Sequence, residues 1–197
     1  MSEQVFHLAD ISGVSFYEVH LEFTERFEPS SLSGDGLPFI SVEDEIHANS
    51  SSSHRQKLRD EYGRIPYGSP LYLWEGDTEG RTEVLYIGQT MLQSVQKRFE
   101  GHASVMKLLA DHVNLKKTNV YFRLCSRLDL KYLFDNTHLI RAIEHFPLKQ
   151  AKMIIDDIEA YLIFNLKPRY NKLFKNSEKQ YSIPFTIDRV RNININE

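Results

Sequence analysis

The 197-residue chain has a single cysteine, Cys125, so no internal disulfide can close. Stability must come from packing rather than from cross-links. Cys125 sits in the alternating stretch NVYFRLCSR and reads as a buried strand thiol rather than a reactive one. Long apolar runs are missing too. None approaches the roughly 18 residues of a spanning helix, so no membrane partner is expected. The opening MSEQVFHLAD lacks the basic start and apolar stretch of a secretory signal. These absences predict a soluble, intracellular, cytoplasmic protein. The histidines show no metal-ligand spacing, which argues against a zinc site. No internal repeat is visible, which excludes a solenoid.

An excess of positive charge is also lacking, since the net charge is −3. The distribution is uneven, however. Residues 1–60 carry 4 Lys and Arg against 11 Asp and Glu, whereas residues 61–197 carry 20 against 16. The asymmetry suggests two regions with different tasks. The basic part can attract phosphates by counterion release. The acidic part either shields it or is a solvated face, and the second is the plainer reading.

What is present suffices for a core: 41% hydrophobic and 12% aromatic residues. The length fits one domain with decoration, or a small domain plus an extra segment. VSFYEVHLEF, within residues 4–28, predicts a strand or two. PSSLSGDGL and ANSSSSH read as loops, and HRQKLRDEYG as a short amphipathic helix ending at Gly63. Residues 69–76 and 82–90 predict the two arms of a hairpin with Gly80 in its turn. Residues 94–113 place Val95, Phe99, Val105, Leu108 and Leu109 near helical spacing, with a break at Gly101. Residues 118–128 alternate and predict a third strand. Residues 139–166 read as helix on both sides of Pro147, and KPRYN at 167–171 ends that helix. The expected order is β–β–α–β–α–α.

Chemistry-bearing residues gather on these elements. Tyr72 and Tyr86 lie on the two hairpin arms, which pairing brings close. Arg98 and His102 are four apart and share a helix face. Glu159 lies on the last helix, and Asn171 follows it. Taken singly, each has a plain alternative. The tyrosines could be strand aromatics, Arg98 a surface arginine, and His102 a satisfied helix histidine. Glu159 follows Asp156 and Asp157 and could belong to a solvated face, although Ile155, Ile158, Leu162 and Ile163 surround it with apolar neighbours. Asn171 could simply terminate a helix. Gly88 could serve strand geometry alone.

The ordered set resembles the GIY-YIG endonuclease superfamily. The second tyrosine motif stands intact as Tyr86-Ile87-Gly88, followed by Gln89-Thr90. The first is degenerate, because Pro70-Leu71 replaces Gly-Ile while Tyr72 is kept. The stretch from Glu159 through Lys167-Pro168-Arg169-Tyr170-Asn171 is similar to the family's close. The likeness spans about half the chain. It implies a divalent-metal-dependent nuclease whose catalytic set is Tyr72, Tyr86, Arg98, His102, Glu159 and Asn171.

The implied roles suit phosphodiester hydrolysis. Charge must be preorganised for the transition state, and the Arg98 fork matches phosphate oxygens. Glu159 offers one hard oxygen to Mg²⁺ or Mn²⁺. Tyr72 is the expected base, with His102 receiving its proton or holding the phenol. Tyr86 orients water or contacts phosphate, and Asn171 ties the loop after the helix to the site. Gly88, Gln89, Lys167, Arg169 and Lys172 are the expected nucleic-acid contacts.

The expected fold is α+β: a small three-stranded antiparallel sheet flanked by helices, with an N-terminal addition. Residues 61–175 form its nuclease domain, with an insertion at about 128–150. Residues 1–60 are an acidic extension for recognition or regulation, and 176–197 a tail. A core of this kind reads backbone, so base contacts must come from the additions or a second subunit. The leading expectation is a DNA endonuclease of restriction or genome-defence type, for which a homodimer suits a palindromic target. The alternatives are a structure-specific repair nuclease and a catalytically degraded domain that binds nucleic acid or protein.

Overall fold

The computed structural model describes residues 14, 16–26, 70–78, 81–90, 102–114, 119–134, 136–176 and 179–191. Six strands are seen there: β1 (Tyr17–Phe23), β2 (Leu71–Thr78), β3 (Arg81–Gln89), β4 (Asn119–Phe134), β5 (Thr137–Ala142) and β6 (Phe185–Arg191). Two α-helices accompany them, α1 (Ala103–Leu109) and α2 (Leu148–Leu166). A π-helical turn, Ala110–Asn114, continues α1, and a 3₁₀ turn, Ile143–His145, precedes α2.

The fold is α+β, and the sheet is larger than three strands. Its order is β3-β2-β4-β1-β6, with β5 also on β4. The expected antiparallel trio is there as β3-β2-β4. The sixteen-residue β4 extends it. Its first part pairs with β2, and its second part with β1 and β5. β6 runs parallel to β1, which makes the sheet mixed. Thus β1 lies in the stretch expected as an extension, β5 in the expected insertion and β6 in the expected tail. Tyr17, Val19, Leu21, Phe23, Leu130, Ile143 and Phe185 from these stretches share one buried cluster with α2.

Two sequence expectations are corrected here. His102 does not sit on a helix face, since it is the extended residue, at φ −78° and ψ 101°, that precedes α1. Residues 139–142 are strand, not helix. Their apolar spacing fits either form over so short a run, and the pairing of β5 with Asp129–Phe134 decides it. Asn136, at φ 59°, lies in the turn between them, in a region asparagine tolerates. Helix starts only after Pro147, whose fixed φ suits a helix entry. The helix expected at 54–63 and the proposed break at Gly101 lie outside the described residues.

Strand alternation divides the core. Leu71, Leu73 and Ile87 face α2 with Ile154, Ile155, Ile158 and Leu162. Tyr72, Trp74 and Tyr86 face the other way, with Val105 and Leu108 of α1 and with Phe122. A bulge interrupts the β2–β3 register at Trp74/Glu75, where Tyr86 pairs with Trp74 and Val84 with Glu75. The extra residue is Leu85, so Leu85 and Tyr86 both join the α1-side cluster. Glu75 is buried in this region between Arg26 Nε at 2.8 Å and Arg123 Nε at 3.0 Å. Arg123 also donates to the Thr24 carbonyl at 2.7 Å, which fastens the end of β1 to the hairpin.

Candidate active site

The site residues converge on the last turn of β3, an edge of the sheet. Tyr72 is paired with Gly88 across the hairpin. Its ring lies over that glycine. A Cβ at position 88 would meet the Tyr72 Cζ and hydroxyl oxygen at 2.6 Å and Tyr86 Cε1 at 2.9 Å. No other residue type fits under the two rings without moving them. Gly88 is therefore a packing requirement of the tyrosine pair, whose centroids lie 6.0 Å apart.

Tyr86 reaches from β3 to the residue just before α1. Its hydroxyl lies 3.1 Å from His102 Nε2, and the rings meet edge to face at 5.3 Å. With Nε2 unprotonated, the phenol donates to it. Tyr86 retains a 6% opening to solvent, whereas Tyr72 is 0% exposed. That difference matters for which phenol can meet a water molecule.

Gln89, next in sequence, turns to the other face. Its Nε2 donates to Asp156 Oδ1 at 2.7 Å and to Glu159 Oε2 at 2.8 Å. Asp156 and Glu159 are one turn apart on α2, and Lys152 Nζ also holds Asp156 at 2.7 Å. Glu159 is half-buried. Both carboxylates present hard oxygens, the donor type that Mg²⁺ and Mn²⁺ select. Glu159 receives a neutral amide from Gln89, whereas Asp156 also receives the Lys152 ammonium.

The loop after α2 returns to the same strand. α2 ends at Leu166, with Lys167 left-handed at φ 48° and Pro168 directly after it. Tyr170 N–H donates to the Leu85 carbonyl at 2.9 Å. The Asn171 side chain accepts from Ile87 N–H at 2.9 Å and donates to Ile87 C=O at 2.8 Å. Tyr170 also donates its hydroxyl to Asp111 Oδ2 at 3.0 Å, which joins the loop to the π-helical turn. Burial, reinforced by Asp111, pushes the Tyr170 phenol up to about 12.

Tyr72, Tyr86, Gly88, His102 and Asn171 thus share one neighbourhood, and Glu159 joins it through Gln89. The two faces stay distinct: the tyrosines and His102 lie on the α1 side, Gln89 and Glu159 on the α2 side. Arg98 lies outside the described residues. Lys167, Arg169 and Lys172 are exposed on the closing loop, with the Arg169 guanidinium 5.7 Å from the Tyr170 ring centroid. The sequence alone suggests Gln89 as a nucleic-acid contact and not as a partner of carboxylates. The spacing of Asp156 three residues before Glu159 was the available signal. The Asp111–Tyr170 bond left none.

On the opposite side of the sheet order, Glu18, His20 and Asp188 bring ligand atoms within 4.8 Å of one another. Lys131 Nζ already holds Glu18 Oε2 there at 2.8 Å, and draws the Glu18 carboxyl below its usual range. No family model, no curated protein and no solved structure matches the chain. No helix of the described residues is long and apolar enough to cross a membrane.

Proposed function

We propose that the β2–β3 hairpin, α1 and α2 carry a divalent-metal-dependent endonuclease site that hydrolyses DNA. One observation supports this most. Residues spread from 72 to 171 meet on β3 between Leu85 and Gln89, and they include the members of the GIY-YIG set other than Arg98, which lies outside the described residues. Chance packing of unrelated polar residues has no reason to select that ordered set.

Glu159 would hold the metal, with Mg²⁺ or Mn²⁺ fitting its oxygen donor. Such an ion, when bound, supplies charge neutralisation at the scissile phosphate. The chain's own groups do the proton work. Exposure favours Tyr86 over Tyr72 as the base, because a fully buried phenol meets no water. Tyr86 accepts the proton of the attacking water as its own passes to His102 Nε2. Tyr72 packs on Gly88 and holds the Tyr86 ring. Arg98 is assigned to the phosphate by the resemblance alone. Lys167, Arg169 and Lys172 follow the backbone of the substrate. The setting we infer is intracellular, with a homodimer for a double-strand break.

The test is cleavage of mixed-sequence plasmid DNA with Mg²⁺ or Mn²⁺, comparing the parent with Glu159→Ala. Discrete fragments from the parent alone support a sequence-specific nuclease. DNA binding that survives Glu159→Ala, with no cutting by either protein, favours a second reading: a degraded domain that only binds. The complete burial of Tyr72 and the loss of Gly-Ile before it are the observations behind that alternative.

A further inference from the structure

We propose that Gln89 is a positioning residue for Glu159, a neutral clamp that aims the carboxylate at the cation without cancelling its charge. The inference rests on the reading of Glu159 as the metal ligand. Gln89 Nε2 has two hydrogens, and the geometry uses both: Asp156 Oδ1 at 2.7 Å and Glu159 Oε2 at 2.8 Å. Asp156 is itself pinned by Lys152 Nζ, at 3.0 Å from Oδ1 and 2.7 Å from Oδ2. The order of support is therefore Lys152, Asp156, Gln89, Glu159.

The charge pattern separates a clamp from a plain stabilising contact. Two carboxylates three apart on a helix repel each other. A lysine or arginine at position 89 would relieve that repulsion best and would also neutralise the site. The amide relieves it by hydrogen bonding and adds no formal charge. At the outer carboxylate, Lys152 and Asp156 form an i, i+4 pair. Gln89 thus orients one Glu159 oxygen and brings no positive charge of its own to it.

Position 89 is also where such a clamp couples the two halves of the site. Leu71 pairs with Gln89 and Tyr72 with Gly88, so the hairpin fixes the backbone under both side chains. Asn171 and Tyr170 brace the same strand from outside. A displacement of Glu159 along α2 would be resisted by the strand that carries Tyr86. Partners that orient a metal ligand in this way typically contribute about 10–100-fold in metal affinity.

The experiment is Mn²⁺ binding to the full chain, read from the electron paramagnetic resonance of free Mn²⁺. It needs no cleavage and compares the parent, Glu159→Ala, Gln89→Met and Gln89→Ala. Methionine keeps the side-chain volume and removes both donors. The expected result is a Kd about 10–100-fold weaker in both Gln89 variants, with the melting temperature of Gln89→Met close to that of the parent. A Kd within twofold of the parent in a folded Gln89 variant overturns the clamp. Equal binding by the parent and Glu159→Ala instead overturns Glu159 as the ligand, which is a separate failure and removes the basis of the clamp. If Gln89→Met does not fold, Gln89→Ala gives the same reading.

Discussion

Asn171 occupies the edge of β3 as a neighbouring strand would, since its one amide group takes the Ile87 N–H at 2.9 Å and gives to the Ile87 carbonyl at 2.8 Å. An edge strand otherwise leaves such groups unpaired. Asn171→Ala strips both partners at once. We expect a loss of about 1–3 kcal/mol from unsatisfied backbone groups, measured by urea unfolding. Asn171→Asp keeps the acceptor but sets a carboxylate oxygen against the Ile87 carbonyl, so it should not rescue. Full stability in Asn171→Ala would mean that water replaces the amide without cost.

Gly88→Ala tests the packing of the tyrosine pair. The added carbon would stand 2.6 Å from the Tyr72 ring and hydroxyl, so the ring must move. Overpacking of this kind costs about 1–3 kcal/mol. Cleavage should fall further than stability explains, because Tyr86 Cε1 is the next contact. A stable and fully active variant would show that the tyrosines shift freely.

The Tyr86–His102 pair predicts which phenol matters for chemistry. Tyr86→Phe and His102→Ala should each reduce the single-turnover cleavage rate by about 10²–10⁴-fold, the usual range for positioned proton transfer. DNA affinity should change little. Tyr72→Phe should cost less than Tyr86→Phe. The reverse ranking would return the base to Tyr72, the choice that the sequence alone suggests.

Alkaline pH should weaken the fold. Burial raises the Cys125 thiol from 9.0 to about 12, and burial with Asp111 raises the Tyr170 phenol from 10.0 to about 12. Both groups are neutral when protonated, and the folded chain holds their protons more tightly. Their contribution is therefore whole below the unfolded values and is lost as pH rises through about 12. Urea unfolding at pH 8 and pH 11 should show the parent losing more stability than Tyr170→Phe over that interval. Equal losses would remove Tyr170 from the effect.

Much of the site was legible in the chain because it depends on local pattern. The alternation of residues 71–76 and 82–89 specified the hairpin, and pairing then had to bring Tyr72 near Tyr86. The continuous apolar spacing through Ile154, Ile155, Ile158 and Leu162 specified α2, and so placed Glu159 on a helix beside Asp156. Tertiary contacts decided the rest. Residues 137–142 carry too short a pattern to choose between helix and strand, and β4 chose for them. β6 joins β1 in parallel through a connection of over 160 residues, which no local period encodes. The bulge at Leu85, the turning of Gln89 toward α2 and the bracing of Ile87 by Asn171 are likewise long-range events. Local periodicity determines which face of an element is apolar; only the packed chain determines which polar groups that face is brought to meet.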